Sequence, residues 1–303
     1  MRLVAFADAA GERRIGVWTD AGVRDLTVAT GARDVGQLLA GSQGMTQGLE
    51  GVVGDLHDAS SIRVLAPIGR PGKIICVGLN YHDHCREQDI PPPERPILFA
   101  KFANAVADPG AAVLRPRATE KLDLECELAA IVGRRLSRAA PDEALAAVFG
   151  YTIVNDVTMR DLQAEERQWL RAKGADGFAP MGPVVVTPDE LGDVRALRVR
   201  SSVNGETWQD SSTAEMVFDV GTLLAFASRV MTLEPGDVVA TGTPAGVGHF
   251  ADPPRYVVDG DVMRCEISGI GVLENRVVDE RLRATDHAEA AGVGELLTTE
   301  RVS

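Results

Sequence analysis

The sequence predicts an α+β protein: strands in mixed order, short helices, and a smaller β-rich unit at the N-terminus. Three observations predict it. Residues 1 to about 70 alternate short apolar runs (LVAFA, IGVWT, VRDLT) with Gly and Asp turns, the mark of short paired strands. The remainder mixes strands and short helices without the regular strand–helix–strand rhythm of a doubly wound sheet. Asn204-Gly205, within SSVNGETWQ, is the strongest short hairpin signal an L-peptide can carry.

Taken in order, VGQLLAG predicts one short helix inside the N-terminal unit. The Pro- and Gly-rich stretch APIGRPGK, at 66–73, precedes the apolar strand IICVG and predicts a boundary there. The expected organisation is a small domain over 1–70, a main domain over 71–280 and a tail over 281–303. PDEALAAVFG and the run from Val157 to Leu170 read as helices, and YTIV as a strand leading into Asn155-Asp156. LEPGDVVATGTPAGVG reads as turn, strand and glycine-rich loop. The last twenty or so residues carry little apolar content and predict a frayed end or a loosely docked helix.

Composition bounds the function. Of 303 residues, 31 are Lys or Arg and 44 Asp or Glu, a formal charge of −13. A field of that sign repels phosphate backbones and anionic lipid, so nucleic acid and membrane surfaces are excluded as partners. An acidic substrate then needs local positive charge at its site. The four cysteines, Cys76, Cys85, Cys126 and Cys265, form no CxxC pair and read as reduced thiols. MRLVAFADAAGERR is too short in its apolar stretch for a signal peptide, and nothing approaches a membrane span. A soluble cytoplasmic protein is expected.

The chemistry concentrates in KLDLECELAAIVG. On one strand, Asp123, Glu125 and Glu127 share a face, while Leu122, Leu124, Cys126 and Leu128 share the other. A solvated edge face of an acidic protein gives this pattern. So does a hard-cation site, because Mg²⁺ and Mn²⁺ favour oxygen ligands. Asp156, at a strand-to-helix junction, is suited equally to a helix cap and to a third ligand. The segments alone leave these alternatives open.

GLNYHDHCREQDI places His84 and Glu87 three apart, on one face of a helix. A carboxylate on one imidazole nitrogen leaves the other free as a proton acceptor, the arrangement of a general base; a polar surface turn reads the same way. Lys173 precedes a glycine, a setting common on surfaces. TGTPAGVG, at 241–248, offers N–H groups and hydroxyls to an anion but lacks the spacing of a phosphate-binding P-loop.

Read together, CVGLNYHDHCRE, LFAKFANAV, LDLECELAAIVG, YTIVNDVTMRDLQ, AKGADGFAPMGP, VNGE and LEPGDVVATGTPAGVG occur in the order found in the fumarylacetoacetate hydrolase family. The chain resembles that family over roughly residues 70 to 275, and its N-terminal unit resembles that of the bacterial members. The resemblance implies a mixed β-roll with short helices, usually a homodimer. It implies metal ligands Glu125, Glu127 and Asp156 for one Mg²⁺ or Mn²⁺, a His84–Glu87 pair on a lid helix, and an active-site Lys173. It further implies substrate contacts from Arg160, Gln163 and Thr243. Two departures stand out: Leu124 where the family often has Tyr, and Thr158-Met159-Arg160-Asp161 where it often has Ser-Ala-Arg-Asp. Neither removes a ligand.

The activity so implied acts on a small 2-oxo acid. First comes hydrolysis of a C–C bond in a 2,4-dioxo acid of acylpyruvate type. Second come decarboxylation of oxaloacetate, isomerisation of an unsaturated 2-oxo diacid, and ureidoglycolate cleavage at the same platform. The non-enzyme alternative is a protein whose acidic strand is merely solvated.

Overall fold

A computed structural model describes residues 1–42 and 48–282. From residue 283 onward, the expected tail lies outside the described residues. Two large β-sheets share one apolar cluster, a third sheet has only two strands, and α-helices of four to nine residues lie at their margins.

The larger sheet has twelve strands. The N-terminal strands enter it at one end, where Arg2–Ala7 pairs antiparallel with Ala179–Val186. From there the order runs through Val148–Asn155, Cys126–Val132, Val238–Ala240 and Ile74–Gly78 to the edge strand Ile97–Lys101. The smaller sheet has five strands, among them Arg198–Val203, Val262–Ile267 and Gly271–Asp279. The expected hairpin joins Arg198–Val203 to Glu206–Ser212. Asn204 (φ 52°) and Gly205 (φ 85°) both take the left-handed conformation its two-residue turn demands.

Burial follows side-chain parity. In Cys126–Val132, all residues are buried. Cys126, Leu128, Ala130 and Val132 pack toward the smaller sheet with Val199, Met263 and Cys265, whereas Ala129 and Ile131 join a second cluster with Leu38, Leu39 and Ile68. The helix Val35–Ser42, which the sequence predicts, thus helps to cover the outer face of the large sheet. Carboxylates on this strand are therefore enclosed, and the solvated-edge alternative is excluded: Glu127 is 1 % exposed. All four cysteines are free and buried. No helix among the described residues is long and apolar enough to cross a membrane.

Three elements differ from expectation. The acidic strand is not continuous: Leu122–Asp123 pairs with Thr158–Met159, and the chain bends at Leu124–Glu125 before Cys126–Val132 begins. The helix expected over Val157–Leu170 divides into Thr158–Met159 as strand, Arg160–Glu165 as helix, and a separate helix Leu170–Lys173. PDEALAAVFG is helical only over Pro141–Leu145, because Val148 and Phe149 start the strand Val148–Asn155. In the two segments expected as helices, Thr158 and Val148 found strand partners, and tertiary pairing overrode a local helical pattern.

Candidate metal centre

The site is built where two antiparallel neighbours end together. Cys126 lies opposite Asn155. Asp156 N donates to Glu125 O at 2.9 Å, and Glu125 N donates to Asn155 Oδ1 at 3.1 Å. These bonds bring Glu125, Glu127 and Asp156 into one ring whose ligand oxygens all lie within 4.8 Å of one another. Glu127 Oε2 accepts from Gly242 N at 3.0 Å. Gly242 is required there: its φ is 96°, and a Cβ would come within 2.9 Å of Asn80 Cβ. Thr243, next in the loop, donates to Cys126 O at 3.1 Å and accepts from Gln209.

Three buried cations face the ring. Lys173 Nζ lies 2.9 Å from Glu125 Oε2, 2.8 Å from Asp156 Oδ2 and 2.8 Å from Thr158 Oγ1. Arg160 contacts Glu125 Oε1 at 2.6 Å and Asp123 Oδ2 at 2.9 Å. Lys101 Nζ reaches Asp156 Oδ1 at 2.7 Å and donates to Phe178 O at 2.7 Å. Burial pulls the Lys173 ammonium down, but Asp156 and Glu125 outweigh it and hold its pKa well above the usual lysine value. Burial pushes Glu125 up, yet Lys173 and Arg160 bring it down to about 2, so it is ionised.

Glu127 is the exception. It has no ion-pair partner among the described residues, and burial, then Asp156 and Glu125, push its carboxyl far above the usual range. With Asp123 included, four buried carboxyls meet three cations, so ionising Glu127 as well would leave one negative charge uncompensated. Three hard oxygen donors around an unbalanced charge suit a divalent cation.

Beside the ring opens a cavity of about 260 Å³. Of the nine candidate site residues, six line it: His84, Glu125, Arg160, Gln163, Lys173 and Thr243; Glu87, Glu127 and Asp156 stand behind them. His84 Nδ1 is 2.7 Å from Glu87 Oε2, and Glu87 Oε1 accepts from Gly246 N at 2.7 Å, so the carboxylate fixes the ring. Gln88 Nε2 lies 2.9 Å from His84 Nε2; an amide donating there leaves Nε2 as the acceptor nitrogen. A wider groove of about 520 Å³, over Arg200, Thr207, Arg264 and Glu274, contains none of the ring.

Asp123 shares parity with Glu125 and Glu127 but stands outside the ring, because the bend at Leu124 turns it away. It accepts from Gly248 N and His249 N at 3.0 Å each and from Arg160 Nε. Lys101, Gln88 and His249 were not legible as site residues. The first ends an apolar strand, LFAK; Gln88 sits in a polar run, and His249 follows a glycine-rich loop, neither with a spacing rule.

Residues 73–278 match the profile of the fumarylacetoacetate (FAA) hydrolase C-terminal domain. The chain belongs to the fumarylacetoacetate hydrolase family. It is 45 % identical over 221 residues to the mitochondrial oxaloacetate tautomerase fahd2 of Xenopus laevis, covering 72 % of this chain and 69 % of that protein. The family member from Exiguobacterium antarcticum superposes with a TM-score of 0.83 at 42 % identity, over 92 % of this chain and 100 % of that one. The 2-hydroxyhepta-2,4-diene-1,7-dioate isomerase of Mycobacterium marinum gives 0.75 at 34 % identity, over 92 % and 99 %. The family fold is thus the α+β β-roll that the resemblance implied, and the chain is an enzyme of this family with a buried acidic triad able to bind a divalent metal.

Proposed function

We propose that this enzyme interconverts the keto and enol forms of a small 2-oxo diacid of the oxaloacetate type, using one Mg²⁺ or Mn²⁺ held by Glu125, Glu127 and Asp156. One observation carries the reading: the His84 imidazole, held at Nδ1 by Glu87 and met at Nε2 only by the Gln88 amide, lines the same 260 Å³ cavity as the ring acid Glu125. That volume sits below the range for drug-sized ligands and suits a short acid. The names of the frog protein and the isomerase agree with enol chemistry.

The ion would supply Lewis acidity and a template for the 2-oxo acid. Once substrate displaces the Gln88 amide from it, His84 Nε2 takes a proton from the carbon beside the 2-oxo group and returns it, while Glu87 holds Nδ1 and stabilises the imidazolium. Lys173 keeps an ammonium at the end of the cavity where negative charge develops on oxygen, a charge absent from the ground state. Arg160 Nη2 is buried with no hydrogen-bond partner among the described residues, a donor suited to a substrate carboxylate and an answer to the chain's net charge.

Acylpyruvate C–C hydrolysis is the second reading, favoured by the same His84–Glu87 pair, which is also competent to activate water. The sequence placed it first; enol chemistry now leads because it needs proton transfer alone, without a water seated beside a buried dyad. A homodimer is proposed as the working form, to be checked by light scattering. The test is a panel of oxaloacetate enol, acylpyruvates and ureidoglycolate with Mn²⁺, Mg²⁺ or chelator. Metal-dependent ketonisation faster than any hydrolysis supports the first reading; hydrolysis alone supports the second; activity indifferent to chelator sinks both.

A further inference from the structure

The cavity has a second end, and its chemistry differs from that of the ring. Among its described lining residues Glu125 is the sole acid. The loop that follows Thr243 brings His249 to this wall. One oxygen, Asp123 Oδ2, accepts from both Arg160 Nε at 2.9 Å and His249 N at 3.0 Å, so both residues are held at a common place. The His249 ring packs against Phe250 at 4.9 Å, and Phe250 packs edge-on against His84 at 5.9 Å. One aromatic ring therefore separates His249 from the His84–Glu87 pair. His249 Nδ1 lies 3.0 Å from the Tyr256 hydroxyl, which fixes the imidazole, and its Nε2 has no hydrogen-bond partner among the described residues.

We propose that His249, braced by Tyr256, is a specificity-determining residue that donates a hydrogen bond from Nε2 to the distal carboxylate of a 2-oxo diacid. With the Tyr256 hydroxyl donating to Nδ1, the proton of a neutral ring sits on Nε2, and the residue lines the cavity. Partial burial and the neighbouring Arg160 hold the imidazole pKa below its ordinary value, which keeps that ring neutral. The neutral 4-oxo group of a simple acylpyruvate gains less from this donor than a charged carboxylate does, so the site favours diacids over acylpyruvates. The inference rests on the 2-oxo diacid reading above and names the residue that selects the diacid.

The test compares oxaloacetate enol with acetylpyruvate as substrates of the Mn²⁺-loaded enzyme and of His249→Ala, His249→Gln and Tyr256→Phe. A hydrogen bond to a charged group predicts that His249→Ala shifts the ratio of kcat/KM for the two substrates by about 10- to 100-fold against the diacid, mostly through KM. His249→Gln, which keeps a donor, recovers most of the shift, and Tyr256→Phe gives a smaller one. Oxalate, which has no distal group, is titrated calorimetrically alongside. A ratio unchanged within about threefold overturns the proposal, as does a loss of oxalate affinity that parallels the loss of the diacid, since His249 would then be a prop for the whole site. If wild type turns over neither substrate while binding Mn²⁺ and oxalate, the functional reading has failed and this inference falls with it.

Discussion

Lys101 Nζ lies 2.7 Å from Asp156 Oδ1, with both side chains fully buried. The same ammonium donates to the backbone oxygens of Val157, Lys173 and Phe178. One cation thus ties a ring carboxylate to the backbone beside it, to the residue before the strand Ala179–Val186 and to the end of the helix that carries Lys173. Breaking a buried pair by removing one partner leaves an uncompensated charge, at a cost of about 3–5 kcal/mol. Lys101→Met is expected to lower the unfolding free energy by about that much in urea, and saturating Mn²⁺ is expected to recover part of it. An unchanged midpoint contradicts the role given to Lys101.

Glu127 makes the metal-free protein sensitive to pH in a stated direction. Its folded carboxyl titrates above the unfolded one, because burial and its acidic neighbours oppose ionisation. Between those two pKa values the folded state binds more protons, so this group's contribution to stability is present below about pH 4 and is lost as pH rises through the folded value. Chelated wild type should therefore lose more melting temperature on going from pH 5 to pH 8 than Glu127→Gln does. Mn²⁺ affinity should rise with pH over the same interval, because the proton must leave before the ligand binds. Parallel pH profiles for wild type and Glu127→Gln would exclude the assignment.

In the proposed mechanism the His84–Glu87 pair serves catalysis and not metal binding, and the two can be separated. His84→Asn removes the acceptor nitrogen and is expected to reduce kcat by about 10²- to 10⁴-fold, with Mn²⁺ affinity unchanged. Glu87→Gln is expected to lose less, because His84 remains but its tautomer and the bond to Gly246 N are altered. Undiminished turnover in His84→Asn would remove the dyad from the mechanism.

What was legible in the sequence was what obeys local periodicity. Glu125 and Glu127 lie two apart on one chain segment and do meet at one place, and His84 and Glu87, three apart on the helix His82–Glu87, do pair. Asp123 was misplaced because periodicity assumes a continuous strand. The bend at Leu124 sends its carboxylate to the N–H groups of Gly248 and His249, a loop 125 residues away in sequence. Lys101 and Lys173 both resemble surface lysines locally. Only the large sheet and the helix Leu170–Lys173 bury them against Asp156, which no spacing rule encodes. The helix expected from Val157 failed because Thr158–Met159 finds a partner in Leu122–Asp123.

The most direct test of the metal centre is a crystal of the Mn²⁺-soaked protein measured at the manganese absorption edge. The account predicts one anomalous peak per chain, coordinated by carboxylate oxygens of Glu125, Glu127 and Asp156 and lost in Asp156→Asn. A peak elsewhere, or none at the ring while the wild-type protein still turns over its substrate, would contradict it.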